Sequence, residues 1–260
     1  QLEMKPLEEL GLMKFDILGL ANLTIIKNTL IAIEKYEGKH IDIWKIPEDD
    51  KATFDLLKRG DTTAVFQLES DGMKKYLRDL QPESLEDICF MCAAYRPGPM
   101  QFIPDYIECK HGRKEPDYLI PELEPIVKNT YGFAIYQEQV IRIAVDIAGY
   151  TMGEADILRR AMGKKVKEIM IAEKAKFLEG CVKRGHTNEV AEKLFEYLMP
   201  FADYGFNKAH AAGYAMIAYQ TAYLKAHYPI EFTIGLLESD LETADKLHRD
   251  VEEARNLGIE

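Results

Sequence analysis

Lys14-Phe15-Asp16 sits in an apolar frame of Leu12, Met13, Ile17 and Leu18. An alternating strand would put Lys14 and Asp16 on one face. A carboxylate so placed can hold a divalent cation while the ammonium beside it meets phosphate. Lys-x-Asp also arises as an ordinary solvated pair, so the apolar frame is what singles it out. A second cluster is Arg159-Arg160-Ala161-Met162-Gly163-Lys164-Lys165. Arginine grips phosphate bidentately and lysine adds point charge, so this run can embrace a triphosphate or a nucleic-acid backbone. The plain alternative is a solvated basic helix end, favoured by the negative pole of the helix. The run is not a P-loop, because Leu158 stands where that pattern needs glycine and no Ser or Thr follows Lys164. A third segment, Gly205-Phe206-Asn207-Lys208-Ala209-His210-Ala211-Ala212-Gly213-Tyr214, offers donors followed by small residues. It can let a helix start approach a ligand, with Tyr204, Phe206 and Tyr214 stacking on a base. Equally, the aromatics can be core and the small residues tight helix packing.

The remaining reactive groups are less directed. Cys89-Phe90-Met91-Cys92 has zinc-like spacing, but Cys109 and Cys181 form no second pair. Flanked by Ile88, Ala93 and Ala94, the two thiols read as small apolar residues in a buried segment. Nothing indicates a disulfide framework, which makes a reducing cytoplasm the default. The six histidines show no metal-ligand spacing, and no hydrolase or dinucleotide-binding motif occurs.

The elements that must position these residues read as mostly helical. Strand is expected only near the start, within 1–20 before the first helix and as a short strand or extended piece at 62–68. Helices are expected at about 22–36 (capped by Asn22 or Thr24), from Pro47 to Gly60, and at 71–80, 84–94, 137–148, 153–162, 165–184, 188–200, 211–226, 230–238 and 241–256. Thr151 is a candidate cap, with Glu154 in the first turn beyond it. Tyr95-Arg96-Pro97-Gly98-Pro99-Met100 must be a fixed turn, and 101–130 reads as irregular.

At 260 residues, 47% of them apolar, the chain can hold one large domain or two small ones. It has no run long enough for a membrane span, and its opening, Gln1-Leu2-Glu3-Met4, reads as part of a longer protein. The net charge of -11 opposes nucleic acid on average. The distribution matters more: 159–167 holds five cations and no anion, while 240–253 holds six anions against Lys246 and Arg249. A basic stripe on an acidic body suits a phosphate site.

Six stretches in series resemble the C-family bacterial replicative DNA polymerases: Leu12–Leu20, Asp61–Met73, Tyr95–Met100, Tyr136–Val140, Gly149–Lys165 and Tyr204–Pro229. The resemblance implies a mainly α fold with a minor β part (α+β), the C-terminal piece of a palm at 1–30 followed by helical fingers at 31–260. It implies that Asp16 is the third of three catalytic, metal-binding aspartates; the Asp-x-Asp pair that would supply the other two is not in this sequence. Lys14, Arg159 and Arg160 would meet the nucleotide phosphates. Asn207, Lys208 and His210 would face the nucleotide or templating base, and Lys164 and Lys165 would bind DNA. The reaction implied is attack of a primer 3′-hydroxyl on the α-phosphate of a dNTP, with two Mg²⁺ ions. Primer–template DNA, a sliding clamp and other replisome subunits are the implied partners, the last two through regions beyond this sequence. With one of three metal ligands, the chain alone is expected not to polymerise. A non-catalytic helical interaction module, or a phosphotransferase acting on a small substrate, are the competing classes.

Overall fold

The computed structural model describes residues 3–259 except 14, 16, 165 and 166, and gives the backbone alone at 4, 5, 8, 162–164, 167–169, 202 and 203. Its helices run in the order α1 (Met4–Glu9), α2 (Ala21–Glu37), α3 (Lys51–Arg59), α4 (Asp71–Leu80), α5 (Leu85–Ala94), α6 (Ile103–Lys110) and α7 (Glu124–Val127). They continue as α8 (Gln137–Asp146), α9 (Met152–Lys164), α10 (Lys167–Lys183), α11 (Asn188–Tyr204), α12 (Lys208–His227), α13 (Pro229–Asp240) and α14 (Ala244–Asn256). No helix among the described residues is long and apolar enough to cross a membrane.

Local chemistry fixes the starts. Asp50 caps α3 by accepting from Thr53 N–H at 2.8 Å, and the Ser70 hydroxyl caps α4 through Met73 N–H at 3.3 Å. Ser84 and Asp87 form a reciprocal capping box on α5. Such caps satisfy donors that the first helical turn leaves open.

Three apolar cores organise the helices. The first gathers α3, α4, α5 and α6 around α12, with Phe90 and Tyr106 stacked at a 3.5 Å centroid distance. The second joins α7, α8, α9, α10 and α11 around Phe177, Phe195 and Leu198. The third lies between α2, α13 and the end of α12. Alanines 211, 215, 218 and 222 let α12 lie close against α5 and run on to α2 and α13. Gly235 does the same for α13 on α2: a Cβ there would come 2.5 Å from Thr29 Oγ1.

Several expectations need correction. No strand forms among the described residues, and the one expected at 62–68 is replaced. Residues 62–68 instead fold as successive turns, with Val65 N–H donating to Thr62 and Leu68 N–H to Val65, both at 3.1 Å, and Ala64 and Gln67 at φ +62. The β-prone residues are there for burial. Val65 and Leu68 are fully covered, and Phe66 N–H goes to Thr221 Oγ1 at 3.1 Å rather than to a neighbouring strand. A strand needs such a neighbour. The sole extended pairing among the described residues is a parallel bridge, Tyr136 to Phe206.

Helix α2 starts after Leu20, so Asn22 and Thr24 lie inside it rather than capping it. Residues 103–110 form α6, because Pro104 sits in its first turn, where proline's missing N–H costs nothing. Helix α11 continues through Pro200 to Tyr204, and α12 begins at Lys208.

Candidate functional site

The bridge at Tyr136 and Phe206 starts two helices side by side. Gln137 N–H donates to Phe206 O and Phe206 N–H to Ile135 O, each at 2.9 Å. The Gln137 side chain adds a bond to Gly205 O at 3.0 Å. From this ladder α8 and α12 leave with their N-termini adjacent, so two positive helix poles share one place. Asn207 caps α12: its Oδ1 accepts from His210 N–H at 2.8 Å. Its amide donates to Glu138 Oε1 at 2.9 Å, and Lys208 N–H donates to Glu138 Oε2 at 2.9 Å. Glu138, in the first turn of α8, is therefore an internal anion on the N-terminus of α12. The Lys208 ammonium reaches Glu86 at 3.2 Å and lies over the Tyr136 ring at 5.4 Å.

The Tyr95–Met100 turn closes onto this ladder. Arg96 donates from Nε to Ala93 O at 2.8 Å and from Nη2 to Tyr204 O, while its guanidinium covers the Phe206 ring at 4.6 Å. Burial pushes its pKa down, but a guanidinium stays charged. Gly98 has φ +99, and a Cβ there would lie 2.4 Å from the Tyr204 ring. Only glycine fits both the conformation and the space.

A row of rings follows the first turns of α12. Phe206 meets His210 at 5.4 Å, His210 meets Tyr214 at 4.2 Å, and Tyr214 meets Phe66 at 5.1 Å. The two readings of this segment divide by residue. Ala211 is core, whereas Ala212 and Gly213 are exposed, with nothing within 4 Å of a Cβ at Gly213. Beside the partly exposed rings, the helix thus offers a bare face that a flat ligand can approach.

Arg159 and Arg160 lie on α9, anchored through Ala155 and Leu158 in the second core, with Ala161 buried beside them. Both guanidiniums take the same carboxylate: Arg159 reaches Asp156 at 2.8 Å and Arg160 reaches it at 2.6 Å. The Arg159 hydrogen bond leads in holding Asp156 below the usual carboxylate range. Two cations on one anion leave net positive charge, and Arg160 is 65% exposed. Thr151 caps α9 as expected, and Glu154 returns the bond: Thr151 N–H donates to Glu154 at 2.8 Å and Glu154 N–H to Thr151 at 3.3 Å.

The chain matches the family described as the bacterial DNA polymerase III alpha subunit finger domain over residues 22–185. The chain belongs to that family. Among its relatives, the DNA polymerase III subunit alpha of Bacillus subtilis is 48% identical over 259 residues, 100% of this chain and 23% of that protein. That of Halalkalibacterium halodurans is 47% identical over 256 residues, 98% of this chain and 23% of the relative. The Staphylococcus aureus protein is 47% identical over 259 residues, again 100% of this chain, and 24% of its own length. The chain thus spans about a quarter of the length of these curated relatives.

The finger-domain match covers Arg96, Glu138, Arg159 and Arg160, while Asn207, Lys208 and His210 follow it. The structure gathers Asn207, Lys208 and His210 at one helix start. It seats Arg159 and Arg160 on another helix, and among the described residues no hydrogen bond or ion pair joins the two groups. Lys14, Asp16 and Lys165 lie outside the described residues, as does the side chain of Lys164. Among the described residues no three His, Cys, Asp or Glu side chains gather as a metal site, so these residues do not by themselves fit Mg²⁺. Cys89 and Cys92 sit on α5, where burial raises both thiols, Cys92 to about 12, and Tyr136 OH donates to Cys89 at 3.4 Å.

Three residues of the finger domain escaped the reading of motifs: Arg96, Glu138 and Asp156. Asp156 was legible, since its spacing to Arg159 and Arg160 is i,i+3 and i,i+4. The partners of Glu138 and Arg96 come from 69 and 108 residues away, which no local spacing announces.

Proposed function

We infer that this chain provides the finger surface of a DNA-directed DNA polymerase, within a longer protein that adds dNTPs to a primer 3′ end during replication. What carries the reading is the meeting of Tyr95–Met100, Tyr136–Val140 and Tyr204–Tyr214 at the paired starts of α8 and α12, where Arg96, Lys208 and His210 flank an open row of rings. Ring stacking contributes about 1–3 kcal/mol per base and is indifferent to sequence, as a template-directed enzyme requires. Base pairing then supplies the sequence.

The roles follow from charge and place. Asn207, Lys208 and His210 orient the nucleotide or templating base. Arg159, Arg160 and Lys14 neutralise triphosphate charge as pyrophosphate leaves. Lys164 and Lys165 take the DNA backbone. Asp16 is the one carboxylate we assign to magnesium, its fellow ligands coming from the rest of the longer protein. We assign residues 1–30 to the end of a palm and 31–260 to fingers. Ile17 is 95% exposed, Leu18 88%, Met13 80% and Phe15 76%, an apolar run on both faces that needs cover. A strand inside a sheet of the longer protein supplies it, and gives the fold its minor β part. The sliding clamp and other replisome partners are met by the rest of that protein, in the cytoplasm.

The test is a titration of the chain with labelled primer–template DNA at several salt concentrations, alongside primer extension with Mg²⁺. Weak binding that falls steeply with salt is expected, without extension. Salt-independent or absent binding favours a helical interaction module, and nucleotide incorporation by the chain alone refutes our assignment of the magnesium ligands.

A further inference from the structure

A cavity of about 290 Å³ opens at the seam between the first two cores, walled by Phe102, Tyr131, Phe133, Tyr197 and Phe201. Phe102 and Phe133 pack against both cores. The rings are already in contact with one another, Phe102 with Phe201 at 4.8 Å and Tyr197 with Phe201 at 5.3 Å. Tyr197 is fixed by donating to Gly132 O at 2.7 Å. A dry apolar cavity of about 150 Å³ takes benzene, so roughly twice that volume suits a bicyclic ring system.

The mouth adds a sign. Asp105, Lys114, Glu115 and Asp117 line it. Lys114 is committed to Asp105 at 2.9 Å. Among the described residues Glu115 and Asp117 have no ion-pair partner. Aromatic walls and surplus carboxylates both favour a cation. A neutral or anionic ring would gain only the apolar part.

The cavity also touches a weak point of α11. Pro200 lines it and lies inside the helix, where it removes one backbone hydrogen bond. Phe201 follows, and the same turn ends at Tyr204, whose carbonyl holds Arg96 and whose ring packs on Gly98. A ligand that displaces the Phe201 ring therefore pushes on the residue that seats Arg96 over Phe206.

We propose that this cavity binds a planar, bicyclic aromatic molecule carrying one positive charge, and that its occupancy is transmitted through the last turn of α11 to the Arg96–Phe206 stack. The binding claim is independent of the polymerase reading; only its consequence for nucleotide use rests on that reading.

The experiment uses three probes of one shape, 2-naphthylmethylammonium, 2-naphthalenemethanol and 2-naphthoate. Each is titrated into the ¹⁵N-labelled chain while backbone amide shifts are followed. The cation is expected to bind at least ten-fold more tightly than the alcohol, with naphthoate weakest. Amides of 131–134, 198, 199 and 201 should shift together with those of 204–206. The double variant Glu115→Gln/Asp117→Asn, altered only at exposed positions, should bring the cation's affinity down to the alcohol's and leave the alcohol's unchanged. Equal affinities for the three probes, or shifts that avoid 131–134, overturn the site. Saturation that leaves 204–206 unmoved overturns the transmission.

Discussion

The Glu138 carboxylate accepts the backbone N–H of Lys208 at 2.9 Å across the boundary between two helices. With the Asn207 amide on its other oxygen, it holds the start of α12 to the start of α8. Hydrogen bonds to an ionised acceptor contribute about 1.5–3 kcal/mol, and partial exposure of Glu138 reduces that. Glu138→Ala is expected to cost about 1–2 kcal/mol, a fall in Tm of about 2–4 °C per kcal/mol at this chain length. Thermal unfolding followed by circular dichroism measures it. A Tm unchanged from the parent would mean that water replaces the carboxylate at no cost.

Gly98 offers a sharper case, because two penalties coincide. An alanine would have to adopt φ +99 and would also meet the Tyr204 ring at 2.4 Å. Backbone strain of this kind costs about 1–3 kcal/mol, and overpacking adds about as much again. Gly98→Ala should therefore destabilise by about 2–5 kcal/mol. Adding Tyr204→Ala should recover the steric part alone, because the backbone strain remains. Chemical denaturation of the single and double variants separates the two, and full recovery in the double variant would remove the backbone argument.

Two carboxyl groups should give pH dependences of opposite sign. Lys176 leads in pulling Glu154 down to about 2, helped by Thr151. Between that value and the ordinary 4.5 the unfolded chain binds more protons than the folded one. The contribution of Glu154 is thus present above pH 4.5 and lost as pH falls toward 2. Asp250 runs the other way. Burial raises it, Arg249 opposes that, and Asp240 adds to the rise, while its Oδ2 has no hydrogen-bond partner. The folded state then holds the extra proton, so this contribution declines as pH climbs above 3.8. Glu154→Gln should flatten the acid limb of stability against pH. Asp250→Asn should flatten the region above it and stay within about 1 kcal/mol of the parent at neutral pH, because the amide oxygen still accepts from Arg249. Unfolding midpoints from pH 2 to 7 test both, and matching slopes in parent and variants would contradict the assignment.

How much of this was readable in advance depends on the range of the cause. The Thr151 cap, the Asp71–Leu80 helix and the turn at Arg96–Pro99 follow from neighbours a few residues apart, and the sequence announced them. Residues 62–68 misled because Thr, Val and Phe serve burial and strand pairing alike, and only the absence of a neighbouring strand decides between them. The candidate site divides the same way. Asn207, Lys208 and His210 were visible as donors before a helix. Glu138 was not, because its role depends on a bridge that joins chain positions 136 and 206. Arg159 and Arg160 were visible as charge, whereas their shared carboxylate was passed over, although its spacing was plain.

That shared carboxylate sets the last expectation. Asp156 orders two guanidiniums at 2.8 and 2.6 Å and cancels one of their charges. If the pair faces nucleic acid, Asp156→Asn adds one net positive charge at the place where phosphate binds. The slope of log affinity against log salt should then steepen by about 0.9 for duplex DNA. Arg160→Ala removes a charge and should flatten it by the same amount. In the full-length polymerase Arg160→Ala should also raise the KM for dNTP and lower kcat, because charge on the leaving pyrophosphate goes unmet. The two slopes moving in opposite directions would place α9 on the phosphate path. Slopes that stay put, with kcat/KM intact, would make the arginines a solvated helix end, which is the plain reading of the same residues.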